Sequence, residues 1–286
     1  MTWFTRSSRF IILVVVLTGL FVVNIQGKLQ AQLSSSPRSE LSTESAVDTS
    51  SQLRLVADVP VSRNDNKRRW NFSNWDSFKP ATSGSGVASN RQAGATRGNC
   101  VQGQQTLTAL VPASGLGATF DEYPTLSWYM PETSASALEL VLLDSQNQEI
   151  YSTKHTLAKS SEGIVSPPGV MSLNLPAFAN LSPLEIDQEY QWQLSLTCNS
   201  QDPSADVIVE GIIQRVPLDP ILARRLKWAS PQERIDIYAT NGVWYDALGT
   251  TLALKRDRPR DQEIKAAWEE LLESVGLQKI APATVN

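Results

Sequence analysis

Histidine is almost missing from this chain: its 286 residues hold one, His155, beside two cysteines, Cys100 and Cys198, and three methionines. A zinc site of ordinary composition draws three or four ligands from His, Cys and carboxylates. So thin a supply of imidazole and thiol argues against a built metal centre. A Ser-His-Asp triad would have to use His155, and no Gly-x-Ser-x-Gly elbow supplies its serine. The Gly-x-Gly-x-x-Gly and phosphate-loop patterns are also absent, and Gly84-Ser85-Gly86 and Gly115-Leu116-Gly117 read as turns. No catalytic residue, metal ligand or cofactor is assigned, and His155 reads as a strand-face histidine.

Positive charge is scarce where it would matter for polyanions. Residues 100–217 hold Lys154, Lys159 and Arg215 against 13 acids, a net charge of −10. Such a surface repels phosphate backbones, which sets nucleic acid aside as a partner. Residues 218–286 balance ten bases against ten acids. Long apolar runs are limited to residues 10–23, FIILVVVLTGLFVV, which follow Arg6 and Arg9 and fall short of the ~20 residues a spanning helix needs. With Ala31 after Lys28-Leu29-Gln30, residues 1–31 read as an export signal cleaved near Ala31. The alternative is an uncleaved anchor lengthened by Asn24 and Ile25. In both cases the rest of the chain is expected outside the cytoplasm, in the periplasm or cell envelope, and membrane contact is expected only if this segment stays uncleaved.

Residues 32–98 are Ser-rich, with no sustained period in their apolar positions, and are expected to form a disordered linker because they bury too little to offset their ordering entropy. Inside them Lys67-Arg68-Arg69-Trp70, then Phe72 and Trp75, mix basic and aromatic groups. That mixture suits a membrane surface, a polyanion or a partner groove. The plainer alternative is a tail folded onto the body.

From residue 99 to 217 the signals are those of strands, at 106–111, 125–130, 137–143, 149–157, 170–175, 189–198 and 206–216. The clearest is EYQWQLSLTC at 189–198, where Tyr190, Trp192, Leu194, Leu196 and Cys198 alternate with polar residues. Seven such strands predict an antiparallel two-sheet sandwich. Trp128 and Trp192 fall on the apolar sides of their strands and are expected in its core, the alternative being an outward platform for sugars. In an exported chain, Cys100 and Cys198 are expected to pair and close a loop of 98 residues, the alternative being two buried thiols. Asp121, Glu122, Asp202 and Asp206 lie in loops, where carboxylates could hold calcium or serve a glycosidase, although Asp-Pro-Ser and Ser-Ala-Asp are also ordinary turn formers.

Leu184, Asp187, Tyr190 and Trp192 resemble the entry to the sixth strand of fibronectin-III and immunoglobulin-like domains, where a tyrosine hydroxyl ties back to upstream backbone. Cys198 lies too far past Tyr190, and Cys100 too early, for a true immunoglobulin pair, so the likeness implies the architecture and not the family.

After Val216 the period lengthens to about 3.6. Helices are expected at 220–228, from Ser230-Pro231-Gln232-Glu233 to about 240, over 243–255, and from Asp261 to near Gly276, with Ile264, Trp268, Leu271, Leu272 and Val275 as the last apolar stripe. Tyr238, Gly242, Ala247 and Pro259 are spaced like part of one tetratricopeptide repeat, which fits a small helical module rather than an array.

Residues 97–280 also resemble a family of exported cyanobacterial proteins catalogued as domain of unknown function 928. The likeness is carried by Arg97-Gly98-Asn99-Cys100, by LTALVP at 107–112, PTLSWYMP at 124–131, residues 190–198, QDPSADVIVEGIIQR at 201–215 and GVWYDAL at 242–248. It implies a lineage and a compartment, and no activity. The expectation is therefore a non-enzymatic exported protein acting as an interaction scaffold for an unidentified envelope protein or polysaccharide. A carbohydrate-active hydrolase using loop carboxylates, or a sugar- or calcium-binding module, are the alternatives.

Overall fold

The alternation at 189–198 becomes a strand of nine residues, Glu189–Thr197, in which every second side chain is buried and Trp192, Leu194 and Leu196 are wholly so. A computed structural model describes residues 70–77, 90–93, 100–157, 168–176 and 181–286. The chain divides into two units, Met1–Arg63 and Asn64–Asn286; the export signal and most of the expected linker lie outside the described residues.

Among the described residues there are ten strands: β1 Val101–Gln102, β2 Thr108–Ala109, β3 Leu116–Thr119, β4 Thr125–Met130, β5 Glu132–Thr133, β6 Ala137–Leu143, β7 Glu149–Thr156, β8 Gly169–Asn174, β9 Glu189–Thr197 and β10 Val207–Arg215. Each of the seven expected segments holds one of them. The count of seven is corrected by β1, β3 and β5. Five strands order as β3-β10-β9-β6-β7, three as β2-β4-β8, and β1 pairs with β5. Trp128 and Met130 of the smaller sheet share one apolar core with Leu140, Trp192 and Leu194 of the larger, giving a β-sandwich-like body.

The expectation of a wholly antiparallel fold fails at one ladder, since β3 runs parallel to β10. Between β2 and β3 the chain leaves one sheet for the other and turns at Gly115, which holds φ +80°. The missed strand, LGAT, is buried on both faces, so it shows no alternation. Gly117 was expected in a turn. It lies within β3, where a Cβ would sit 2.7 Å from the Tyr245 ring.

The four helices fall close to their expected places: α1 Pro220–Trp228, α2 Pro231–Thr240, α3 Trp244–Asp257 and α4 Gln262–Ser274. Ser230 and Glu233 close a capping box on α2, and Asp261 caps α4. Ile264, Trp268, Leu271, Leu272 and Val275 are all buried. Trp70, Phe72 and Trp75, which fall inside the stretch expected to be linker, are buried as well; Trp75 meets Trp244 edge to face at 5.0 Å and donates its Nε1–H to Ser274 Oγ at 2.9 Å. Trp70 stacks on Phe72 and Phe72 on Trp75, with ring centres 5.9 and 6.1 Å apart, and it is Trp75 that reaches α3 and α4.

Candidate functional site

The helices are keyed to the sandwich by two adjacent aromatics at the start of α3. Trp244 Nε1–H donates to the Leu110 carbonyl at 2.9 Å. Tyr245 Oη accepts from Trp192 Nε1–H at 2.9 Å and donates to the Ile212 carbonyl at 3.0 Å. Gly211 makes room for this relay, since a Cβ there would lie 2.5 Å from the Trp192 indole nitrogen. Both rings are almost wholly buried, so each polar tip requires these partners.

The next residue, Asp246, reaches back to β3: its Oδ2 accepts from Thr119 Oγ1 at 2.8 Å and from the Phe120 N–H at 3.2 Å. It borders a cleft of about 320 Å³, with Asp121, Thr125, Arg234, Tyr238 and Thr250 also on its walls. Burial pushes the Asp246 carboxyl up from the ordinary 3.8 to about 7; its hydrogen bonds to Thr119, Phe120 and its own backbone pull the other way and the charge of Asp121 adds to the rise. Burial raises the Tyr238 hydroxyl too, and Asp246 adds to it. Because folded Asp246 keeps its proton to higher pH than the unfolded chain does, stability should fall as pH rises from about 4 to about 7. Asp246→Asn keeps the acceptor and cannot ionise. Urea midpoints measured across that window should therefore lose this slope in the variant, and an unchanged slope would show that Asp246 is not its source.

Further round the surface, α1 presents an unusual face. Trp228 is 82% exposed and Ile221 is 70% exposed. Seven residues apart on a helix, they share one side. Arg224, Arg225 and Lys227 are exposed on the same nine-residue element, with Lys227 Nζ 5.5 Å from the Trp228 ring centre. On the opposite side of the helix Leu226 is buried. Amphipathic periodicity would have placed Trp228 in a core, and no sequence signal separates the two outcomes.

The residues singled out from sequence are scattered. Cys100 and Cys198 form a disulfide with Cα atoms 5.3 Å apart, a bond that belongs to a non-reducing compartment. His155 is exposed on β7, its ring 3.4 Å from Thr153 Oγ1. Trp128 and Trp192 are in the core, which excludes an outward sugar platform built from them. Glu122 pairs with Arg215 at 3.0 Å. Asp202 caps a short 3-10 turn at Pro203–Ala205, and Asp206 Oδ1 accepts from the Cys198 N–H at 3.1 Å. Of the loop acids, Asp121 alone reaches the cleft, where it faces an acid that was not singled out, Asp246. Among the described residues no three His, Cys, Asp or Glu side chains converge. The aromatic part of the 67–75 cluster is buried, so it is not a groove-binding surface; Lys67, Arg68 and Arg69 lie outside the described residues.

No curated protein matches the chain. Among solved structures, the fn3 domain of the human collagen alpha-1(XX) chain is similar at 8% identity and a TM-score of 0.23, covering 44% of this chain and 94% of that one. A likeness of that size carries no argument. The family described as Domain of Unknown Function (DUF928) matches residues 92–285. That match takes in β1 to β10 and all four helices, and the chain belongs to this family.

Proposed function

We propose that the protein is a non-enzymatic exported scaffold of the cell envelope, and that it holds an acidic protein partner against the outward face of α1. The observation that carries this reading is the exposed pair Ile221 and Trp228 set among Arg224, Arg225 and Lys227. Trp and Arg are the side chains that most often dominate binding energy. Anchors seven residues apart suit a groove that receives a helix. Three cations on one short helix stand out against a sandwich segment of net charge −10, so this face attracts acidic surfaces that the sandwich repels. The sandwich is read as immunoglobulin or fibronectin-III-like. Its strand order, with the first pass of chain shared between both sheets, supports this, as does the Tyr190 hydroxyl accepting from the Glu185 N–H at 2.9 Å.

Ile221→Ser with Trp228→Ser should remove the binding without unfolding the body, because neither side chain packs in its interior. Co-purification of the partner with the exported chain should fall at least tenfold while the melting temperature stays within about 2 °C, as surface changes usually allow. Undiminished co-purification would place the surface elsewhere.

A second reading, a carbohydrate-active hydrolase, is favoured by Asp121 and Asp246 bordering one cleft and by the raised pKa of Asp246. Against it, Asp246 already spends Oδ2 on tying α3 to β3.

A further inference from the structure

Exposed apolar side chains gather at two places, and the charge around them is opposite in sign. Leu218, Ile221 and Trp228 lie on or beside α1, while Ile150 and Ile186, 37% and 47% exposed, lie at one end of the sandwich. The first group protrudes and is basic: Ile221, Arg224, Arg225 and Trp228 stand at i, i+3, i+4 and i+7 of one helix and so share a side. The second is hollow and acidic. There the turn between β6 and β7 and the loop leading into β9 border an open cleft of about 530 Å³, with Ile150 and Pro183 among its apolar walls. Both charged residues that line it are acids, Asp144 and Glu185, and Asp187 of the same loop is exposed beside them. Asp144 Oδ1 accepts from the Gln146 and Gln148 N–H groups of its own turn, which leaves the exposed Glu185 as the principal counter-charge. Arg215, which donates to the Leu184 carbonyl, is already paired with Glu122.

We propose that these two surfaces meet between molecules: α1 of one copy of the chain sets Ile221 and Trp228 into the cleft of a second copy, with Arg224 and Arg225 against the acids of its rim. The inference rests on α1 being a docking face and names its acidic partner as another copy of this chain. Charge complementarity selects that occupant, because a protruding indole among cations fits an apolar hollow rimmed by carboxylates, and the same molecule carries both. The cleft falls within the roughly 300 to 1,000 Å³ of ligand-sized sites, ample for one indole. The two surfaces share no residue, so the contact is heterologous. Each bound pair still offers one free α1 and one free cleft, and association continues into rings or filaments.

The test is analytical ultracentrifugation of the purified exported chain. Its mean mass should rise with concentration at low salt and return toward that of one chain as added salt screens the charges. Ile221→Ser with Trp228→Ser in one variant, and Ile150→Ser with Glu185→Lys in another, should each weaken association roughly tenfold or more. Mixed one to one, the two variants should form a dimer that grows no further, since together they hold one intact α1 and one intact cleft. All four side chains are exposed, so melting temperatures should stay near the parent's; Trp228→Ser and Glu185→Lys alone serve should a double variant not fold. Association that survives either variant, or a mixture no larger than its components, would overturn the proposal. So would a chain that stays monomeric at every concentration: if a cross-linker at position 228 then captures an unlike acidic protein, α1 is still a docking face and only the second copy is ruled out, whereas no adduct at 228 removes both.

Discussion

Trp244→Ala should lower the unfolding free energy of the protein by about 3 to 5 kcal/mol, the range for truncating a buried tryptophan. Three contributions act together. The indole is fully buried, so its removal opens a cavity between α3 and the sandwich. The Leu110 carbonyl loses its donor. Trp75, packed edge to face at 5.0 Å, loses the ring that holds residues 70–77 against the helices. Urea unfolding followed by far-ultraviolet circular dichroism at pH 7 would measure the loss, and the 70–77 stretch should at the same time become cleavable by protease. A change below about 1 kcal/mol would mean that the helices are held mainly by contacts elsewhere.

Replacing both cysteines, Cys100→Ser with Cys198→Ser, should cost about 2 to 5 kcal/mol. The bridge closes 98 residues, a loop for which the chain-entropy account predicts about 4.7 kcal/mol, with engineered and native bridges usually giving less. It joins the start of the sandwich to the end of β9, and Thr133 Oγ1 bonds to the Cys100 carbonyl at 2.7 Å, so β1 and β5 are the strands expected to loosen first. Hydrogen exchange at Val101 and Thr133 should rise before exchange at Leu194 does. If unfolding midpoints with and without reductant coincide, the bridge does not stabilise the fold.

What the sequence made legible follows from how local each signal is. The burial pattern of β9 is written into ten consecutive residues, and helix boundaries are written into caps such as Ser230 with Glu233, whose bonds span three residues. Strand β3 was not legible because α3 covers it and its glycine looks like a turn until Tyr245 is beside it. Asp246 was missed for the same kind of reason, since its partner Thr119 lies 127 residues earlier and an acid in GVWYDAL looks like an ordinary exposed helix residue. For the aromatics at 70, 72 and 75, the polar sequence around them pointed to linker, while they stack on one another and Trp75 contacts α3 and α4. The face of α1 is the reverse case. Its apolar residues look like core and are left outside.

The scaffold reading stands on that face, and a photo-activated cross-linker placed at position 228 of the exported chain addresses it most directly. One discrete, salt-sensitive adduct with an acidic protein is expected from position 228, and none from position 208, where Ile208 is 45% exposed on the sandwich. No adduct at 228, or the same adducts from both positions, would contradict it.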